Sequence, residues 1–267
     1  MIGIGKSKGQ MLLGGEMKIC INGFCGRMGQ EILLASKKFD GAEVVFGVDT
    51  EERLATFPCN FENIKLVTNF DDVKCDVVID FSHPKALKQV VDFCKKTKTA
   101  LVVGTTGFGT SERNLLEDLS KIVPVFWSSN MSEGVFAMGK LVELATKILA
   151  GWDIEILETH HSAKVDLPSG TAIMLLDKIK RYRPHITTNL GRHTYGTRGS
   201  DEVGIHSIRA GGFCGTHKVL FANDSQSVEV SHIAFSKSVF AEGAMKASMF
   251  VYKKKCGMYD MEDMYKL

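Results

Sequence analysis

Apolar residues in the first half of the chain fall into short continuous runs that are separated by helical patterns. Such runs at 18–22, 44–48, 77–79, 100–103 and 124–127 predict five strands. Strands that are apolar throughout and alternate with helices are typical of a parallel sheet covered on both faces. The first half of the chain is therefore predicted to be an α/β domain.

The pattern changes after Asn130, where alternation and long helical periods replace the short apolar runs. In the segment 153–159, alternation places Ile154 and Ile156 on one face of a strand. The other predicted elements are helices at 134–149, 172–179 and 241–251 and strands at 205–209, 217–222 and 227–232. These elements predict a second domain with a mixed or antiparallel sheet, and the last helix is expected to pack back on the first domain.

Residues 1–16 precede the first predicted strand and contain one short apolar stretch at 11–13. That stretch is too short for the core of a signal peptide, and no later run approaches the length of a membrane span. We expect residues 1–16 to be a disordered extension, with Met17 as an alternative start.

Composition is ordinary for a globular protein and gives the chain no strong overall charge. Hydrophobic residues make up 44% and charged residues 24% of its 267 residues, and the net charge is +2. Duplex binding usually needs a basic face, so this balance argues against nucleic acid as the main partner. Seven scattered cysteines form no C-x-x-C pair, which indicates reduced thiols in a cytoplasmic protein, and neither a disulfide framework nor a zinc site.

A glycine motif follows the first predicted strand and opens the first helix. Gly23, Gly26 and Gly29 are spaced G-x-x-G-x-x-G, and Asp49 ends the next strand. This context is that of a dinucleotide-binding fingerprint, in which glycines permit a tight turn and let the backbone approach a pyrophosphate at the helix N-terminus. Asp49 would accept hydrogen bonds from the ribose hydroxyls.

The charges near Asp49 leave the cofactor preference open. An acidic residue at this position repels a ribose 2′-phosphate and so favours NAD over NADP, whereas Arg27 and Arg53 would offset the repulsion. A glycine-rich turn that binds some other phosphate is the alternative interpretation of the motif.

Polar groups also follow the third and fourth predicted strands, as Asp80-Phe81-Ser82 and as the GTTG stretch at 104–107. In open parallel sheets the ligand lies beyond the carboxyl ends of the strands, so small hydroxylated residues there would border the nicotinamide and ribose. Ordinary loop capping is the alternative for any one of them.

The densest chemistry lies between residues 158 and 172, in the stretch ETHHSAKVDLPSGTA. Ser169 is positioned as a helix N-cap, which would point the backbone N–H groups of Gly170 and Thr171 at an anion. Lys164 adds a full charge for a carboxylate, and either of the two adjacent histidines can donate a proton near neutral pH. Each feature alone is more often structural, but together they predict a site for an anionic substrate that needs a proton.

This stretch resembles the signature E-x-H-H-x-x-K-x-D-x-P-S-G-T-A of the 4-hydroxy-tetrahydrodipicolinate reductases. Residues 23–29 are similar to that family's G-x-x-G-R-M-G, and residues 103–108 to its V-G-T-T-G-F. Residues 129–132 and 209–212 are similar to its (A/S)-N-F-S and R-x-G-G stretches. The resemblance runs in order from Met17 to the C-terminus, with departures at Ser162, Ala163, Thr216 and Lys237.

The resemblance implies a fold and an activity. It implies an N-terminal Rossmann-type parallel-sheet domain formed by residues 17–131 and 241–267, and an inserted α+β domain, 132–240, that binds substrate and forms a homotetramer. It also implies reduction of 4-hydroxy-tetrahydrodipicolinate, by way of dihydrodipicolinate, to tetrahydrodipicolinate with NADH or NADPH. This reaction belongs to the diaminopimelate route to lysine.

The resemblance also implies roles for individual residues. His160 would be the general acid, and Lys164 would take part in proton donation or in substrate binding. The substrate carboxylates would be held by His161, Lys164, Ser169, Gly170 and Thr171. The cofactor would be held by Gly23, Gly26, Arg27, Met28, Gly29, Asp49, Gly104, Thr105, Thr106, Ser129, Asn130 and Met131. No metal is implied.

Two alternatives differ from this interpretation. The first is a related two-domain dehydrogenase of another small amino or keto acid, which leaves the pairing of the histidines and Lys164 with the Ser-Gly-Thr turn unexplained. The second is a catalytically silent NAD(H)-binding sensor, which would need neither His160 nor Lys164.

Overall fold

The computed structural model describes residues 16–58, 61–193 and 195–266. Residues 1–15, most of the expected disordered extension, lie outside the described residues, so that expectation stays a prediction. Within the described ranges, no helix has the length and apolar character that crossing a bilayer requires.

The chain divides into two compact units. The first contains the described residues up to Phe126 together with Ala247–Met258, and the second contains Trp127–Lys246 and the described residues from Tyr259 onward. The predicted division, 17–131 with 241–267 against 132–240, differs at 127–131, at 241–246 and from Tyr259 onward, all of which belong to the second unit. At the C-terminus Glu262 forms an ion pair with Lys140 at 2.7 Å, and both residues belong to the second unit.

The first unit is built on a seven-stranded sheet with the order β12-β6-β5-β4-β1-β2-β3. Its strands are β1 (Met17–Asn22), β2 (Ala42–Val48), β3 (Lys65–Val67), β4 (Val77–Asp80), β5 (Ala100–Val103), β6 (Pro124–Trp127) and β12 (Gly257–Tyr259). The pairs from β3 to β5 are parallel, and every residue of β4 and β5 is buried. Strands buried on both faces need helices on both sides, which explains why they are apolar throughout.

Five helices contribute to this unit: α1 (Arg27–Ser36), α2 (Glu51–Thr56), α3 (Leu87–Thr97), α4 (Thr110–Ser120) and part of α7 (Ser238–Val251). The order of the first six strands is that of a Rossmann sheet, in which the strand order reverses between β1 and β4. In such sheets the ligand lies at the carboxyl ends of the strands beside this point. The first unit therefore offers a dinucleotide-binding edge where β1 runs into the glycine motif.

The second unit has a mixed five-stranded sheet with the order β11-β10-β7-β9-β8. Its strands are β7 (Asp153–His160), β8 (Thr187–Leu190), β9 (Glu202–Arg209), β10 (Gly215–Ala222) and β11 (Ser227–Ala234). β10 is antiparallel to β7 and β11, whereas β9 is parallel to β7 and β8. The predicted fold class, a parallel Rossmann-type sheet plus a separate mixed sheet with helices, is confirmed.

The helices of this unit are α5 (Glu133–Ile148), α6 (Gly170–Lys180) and α8 (Met261–Tyr265), with the first part of α7. The core lies between α5, α6 and one face of the sheet, where Ile154 and Ile156 pack with Val219 and Phe221. Burying each such side chain contributes about 1.5–3 kcal/mol. The alternation predicted for β7 thus places its apolar residues in this core.

Several short elements were not predicted: β3, β8, β12, α2 and α8. β8 has the sequence TTNL, in which three of four residues are exposed, so no apolar pattern marks it. It forms because β9 offers a parallel partner, beginning with the bond from Thr187 N to Asp201 O. α8 begins at a local cap, in which the Asp260 carboxylate accepts the N–H groups of Glu262 and Asp263.

Candidate active site

The turn between β1 and α1 is built from glycines for steric reasons. Gly23 has a φ of +82°, and a Cβ there would lie 2.4 Å from the carbonyl oxygen of Phe81. A Cβ on Gly29 would lie 2.4 Å from the carbonyl oxygen of Gly23. The loop can therefore hold its tight path only with glycine at these positions.

The first turn of α1 fits an anionic group. Gly26 is the N-cap and offers no side-chain cap, and no acidic residue lies in the first turn. Arg27 is exposed at the first helical position and Met28 is half-buried beside it. Uncapped N–H groups and the helix dipole are the groups that hold a pyrophosphate in dinucleotide sites.

Asp49 ties the glycine loop to the end of β2. Its Oδ2 accepts the backbone N–H of Cys25 at 2.8 Å, and its Oδ1 accepts the N–H of Thr50 at 2.9 Å. Each carboxylate oxygen keeps a second lone pair for a ribose hydroxyl. Burial and the neighbouring Asp49 raise the pKa of the Cys25 thiol to about 11, so this thiol is neutral at physiological pH.

A buried polar network joins the carboxyl ends of β1, β4 and β5. Asp80 Oδ1 accepts from Asn22 at 2.7 Å and from Ser82 at 2.6 Å, and its Oδ2 accepts the hydroxyl of Thr105 at 2.8 Å. Thr105 Oγ1 also accepts the N–H of Ser82. The Thr105 side chain therefore holds these strand ends together, while Gly104 and the exposed Thr106 lie on either side of it.

The segment 128–132 in the second unit is anchored to the start of α6. The Asn130 amide donates to Thr171 Oγ1 at 3.0 Å, and its Oδ1 accepts the N–H of Ser132 at 2.9 Å. Ser129 is exposed and Met131 is buried. Asn130, predicted to border the cofactor, is thus held beside Thr171, predicted to hold the substrate.

One face of the second sheet changes from apolar to polar along its strands. On β7 the side chains of Ile154, Ile156, Glu158 and His160 are all buried, as expected for alternate positions on one face. Glu158 lies opposite His217 on β10, and His160 lies opposite Arg209 on β9. The sheet register therefore collects a carboxylate, two histidines and an arginine beyond the hydrophobic core.

Glu158 is the centre of this cluster. Its Oε2 accepts His160 Nδ1 at 2.5 Å and Arg209 Nη1 at 2.9 Å. Its Oε1 accepts Arg209 Nη2 at 2.8 Å and the backbone N–H of Ser169 at 3.3 Å. Because Nδ1–H of His160 donates to Glu158, the Nε2 nitrogen of His160 is the one that can exchange a proton with a ligand.

Burial and the hydrogen-bonded neighbours have opposite effects on the pKa of Glu158, and likewise on the pKa of His160. Burial alone would raise the pKa of Glu158, but hydrogen bonds from Arg209, Ser207 and His160 outweigh it and lower that pKa to about 2. Burial lowers the pKa of His160, and Glu158 partly restores it. Glu158 is therefore ionised at neutral pH, and it stabilises the imidazolium form of His160.

The loop from β7 to α6 brings the remaining predicted groups. Ser169 caps α6, with its Oγ accepting the N–H of Ala172 at 3.2 Å. Gly170, in the first turn, is exposed, and Lys164 pairs with Asp166 at 2.7 Å. His161 is half-buried in the same loop. An anion at this end of α6 would meet backbone N–H groups, and the Lys164 ammonium lies close enough to His160 to lower the pKa of that ring.

The structure therefore brings together His160, Lys164, Ser169, Gly170 and Thr171, and it places the glycine motif with Asp49 in the first unit. Glu158 and Arg209 lie within the sequence motifs but had no predicted role, and no role was predicted for His217. Glu158 and His160 are two residues apart on a strand, so their side chains lie on the same face, and this spacing could have predicted their contact. Within the described ranges, no group of three or more His, Cys, Asp or Glu side chains is arranged to hold a metal ion.

A Rossmann sheet with a glycine-loop cradle, together with a separate unit that carries a buried cluster of Glu158, His160 and Arg209, is consistent with a nicotinamide-dependent oxidoreductase. Family models described as dihydrodipicolinate reductase, N-terminus and C-terminus, match residues 17–131 and 134–265. The chain belongs to this family, and the resemblance stated from its motifs is confirmed.

Curated relatives and solved structures agree with this assignment. A 4-hydroxy-tetrahydrodipicolinate reductase of Clostridium tetani is 43% identical over 93% of this chain and 96% of its own. Another, of Caldanaerobacter subterraneus, is 40% identical over 94% and 98%. The fold matches a dipicolinate-bound dihydrodipicolinate reductase from Paenisporosarcina sp. TG-14 with a TM-score of 0.75 at 24% identity, over 93% of this chain and 98% of that one.

Proposed function

We propose that the protein reduces 4-hydroxy-tetrahydrodipicolinate, by way of dihydrodipicolinate, to tetrahydrodipicolinate in the diaminopimelate route to lysine. The observation that carries this proposal is the position of His160. Its Nδ1 is held at 2.5 Å by Glu158, whose other oxygen accepts the backbone N–H of Ser169 at the start of α6. Glu158 thereby holds both His160, the proposed proton donor, and the start of α6, the proposed carboxylate-binding helix end.

The substrate is a small heterocyclic dicarboxylate, and the loop 161–171 has groups for its two charges. The N–H groups of Gly170 and Thr171 and the Ser169 hydroxyl suit one carboxylate, because an N-terminal helix turn favours negative charge. Lys164 and His161 suit the other. Lys164 would then exchange its contact with the exposed Asp166 for the substrate carboxylate. Positioning of this kind supplies much of the rate in such reactions.

His160 acts as the general acid through Nε2. Arg209 holds Glu158 in a two-bond ion pair, and Glu158 in turn fixes the ring of His160. The space at Nε2 is kept open by Gly215, where a Cβ would lie 3.1 Å from that atom. When the ring donates its proton, Glu158 stays ionised and can stabilise the imidazolium again on reprotonation.

The first unit fits the cofactor. NADH or NADPH supplies the hydride when bound. The cradle for its pyrophosphate is the uncapped start of α1 with Gly23, Gly26, Arg27, Met28 and Gly29, and Asp49 offers free lone pairs to the ribose. Backbone groups at Gly104, Thr105 and Thr106 in this unit are proposed to border the nicotinamide.

A homotetramer and a cytoplasmic location complete the proposal. The face of the second sheet opposite to its helices carries a row formed by Ile233, Thr216, Thr159 and Ile208 in register. Ile208 and Ile233 are about half exposed on this row. Apolar residues on an open sheet face suit contact with further copies of the chain.

A coupled assay tests the proposed function. Pyruvate and aspartate semialdehyde are condensed by the preceding synthase and offered to the purified protein with NADH or with NADPH. We expect rapid oxidation of the cofactor that depends on the synthase. A folded protein that binds NADH but gives no oxidation would contradict the proposal and support a silent sensor. Activity only with another amino or keto acid would support a related dehydrogenase.

A further inference from the structure

His217 on β10 has no role in the scheme above, yet its ring lies inside the site. Its side chain is only 3% exposed, and its ring contacts that of His160 edge to face, with the ring centres 5.1 Å apart. Glu158, its register partner on β7, already accepts four hydrogen bonds from Arg209, His160 and Ser169. His217 is therefore a buried histidine without a carboxylate of its own.

The ring nitrogens of His217 have different surroundings. Nε2 lies 3.1 Å from Ser169 Oγ, while Nδ1 is buried and finds no hydrogen-bond partner among the described residues. Burial and the nearby His160 lower the pKa of His217 to about 3, so its ring is neutral at physiological pH. A neutral imidazole carries one proton, and its position decides what Ser169 can do.

The two tautomers predict different hydroxyl directions. Ser169 Oγ already accepts the N–H of Ala172, which uses one of its two lone pairs. If Nε2 accepts from Ser169, the hydroxyl proton is consumed within the protein and a buried Nδ1–H is left without an acceptor. Orphaned buried N–H groups are rare in native proteins. If Nε2 donates, both lone pairs of Ser169 are filled and its proton is free to point at a ligand.

We propose that His217 is a positioning residue that donates Nε2–H to Ser169 and thereby turns the Ser169 hydroxyl proton toward a carboxylate of the substrate. The inference rests on the proposed function, since it assigns Ser169 to a substrate carboxylate. It adds a reason for selecting anions: a hydroxyl whose lone pairs are both filled can act only as a donor. A carboxylate accepts such a bond, whereas a group that needs an acceptor gains nothing from it.

The tautomer can be measured directly in the wild-type protein. Long-range ¹H–¹⁵N NMR of ¹⁵N-histidine-labelled protein, assigned with His217→Gln, distinguishes Nε2–H from Nδ1–H. We expect the Nε2–H tautomer near pH 7. The Nδ1–H tautomer, or a charged ring, would overturn the proposal whether or not the coupled assay finds reductase activity. The assay alone decides the proposed function.

Binding of dipicolinate to the NADH-loaded protein tests the consequence. His217→Met and Ser169→Ala should each raise the Kd of dipicolinate about tenfold, the usual effect of losing a hydrogen bond to a charged group. The double variant should be no worse than either single variant, because both remove one interaction. His217→Gln, whose amide can donate, should stay within about threefold of wild type. Additive effects, or equal effects of Gln and Met, would contradict the proposal.

A matched control and a kinetic readout separate positioning from general damage. His232→Gln alters another histidine with a buried Nδ1 that has no hydrogen-bond partner in the described part of the chain. His232 is the register partner of His217 on the neighbouring strand β11. This variant should leave the Kd of dipicolinate unchanged. In the coupled assay, His217→Met should raise KM about tenfold and keep kcat within about threefold. A loss confined to kcat would show that His217 does not act through substrate binding.

Discussion

The candidate anion-binding sites of the two units are built from different groups. At the start of α1 the first unit uses backbone, with Gly23 and Gly29 placed where a Cβ would lie 2.4 Å from a carbonyl oxygen. At the start of α6 the second unit adds a side-chain cluster to the helix N–H groups, with Glu158 accepting from His160, Arg209 and the N–H of Ser169. The first arrangement depends on empty space and the second on filled hydrogen bonds.

This difference determines which substitutions should weaken ligand binding at each site. Adding one methyl group should disrupt the backbone cradle, while changes in side-chain charge there should have modest effects. In the side-chain cluster, a substitution of nearly the same shape that changes one proton or one charge should be sufficient. The following predictions test this contrast.

The largest effect is expected at His160. His160→Gln keeps a polar side chain but removes the acid, so kcat in the coupled assay should fall about 10²–10⁴-fold, the range for general acid catalysis. The Kd of NADH, measured by fluorescence titration, should stay at the wild-type value. A parallel loss of NADH binding would show that the substitution damages more than the acid.

Gly29→Ala should give the next largest effect, in the other unit. The added Cβ would lie 2.4 Å from Gly23 O and 2.5 Å from Phe24 O, so the loop must shift. Such overpacking costs about 1–3 kcal/mol, and the Kd of NADH should rise at least about tenfold. Gly212→Ala is the matched control, because a Cβ there meets nothing within 4 Å. Equal effects of the two variants would contradict the steric account.

Much of both sites could be predicted from sequence where the pattern is local. The glycine spacing and the stretch at 158–172 lie within single turns or loops, so their residues meet without knowledge of the sheet. Arg209 and His217 lie about 50 residues beyond Glu158, and only the register of β7 with β9 and β10 brings them to it. The contact of Asn130 with Thr171 likewise depends on the fold.

His217 should make the protein sensitive to acid. Its pKa of about 3 in the folded state lies below the ordinary value of 6.5, so the unfolded chain binds the proton more readily and stability falls as pH drops below 6.5. Urea unfolding at pH 7 and pH 5 should show a loss that is smaller in His217→Gln by up to about 2 kcal/mol. His193→Gln, at an exposed histidine, should lose as much unfolding free energy between pH 7 and pH 5 as wild type does. An equal loss in His217→Gln would contradict the account.

The smallest effect is expected at Asp49. Asp49→Asn keeps an oxygen acceptor for one of the two backbone N–H groups that Asp49 binds, and it removes the charge that opposes a 2′-phosphate. The ratio of the Kd for NADPH to the Kd for NADH should therefore fall about three- to tenfold, because one charge repulsion is removed. An unchanged ratio would show that Asp49 serves only to fix the loop.

The pH dependence of kcat in two variants tests the tuning of His160 most directly. Glu158 raises the pKa of His160 and Arg209 lowers it, although burial is the largest single influence. A general acid loses activity as pH rises through its pKa. The basic limb of the profile should therefore move to lower pH in Glu158→Gln and to higher pH in Arg209→Met. Shifts in the same direction, or none, would contradict the claim that Glu158 and Arg209 tune the pKa of His160 in opposite directions.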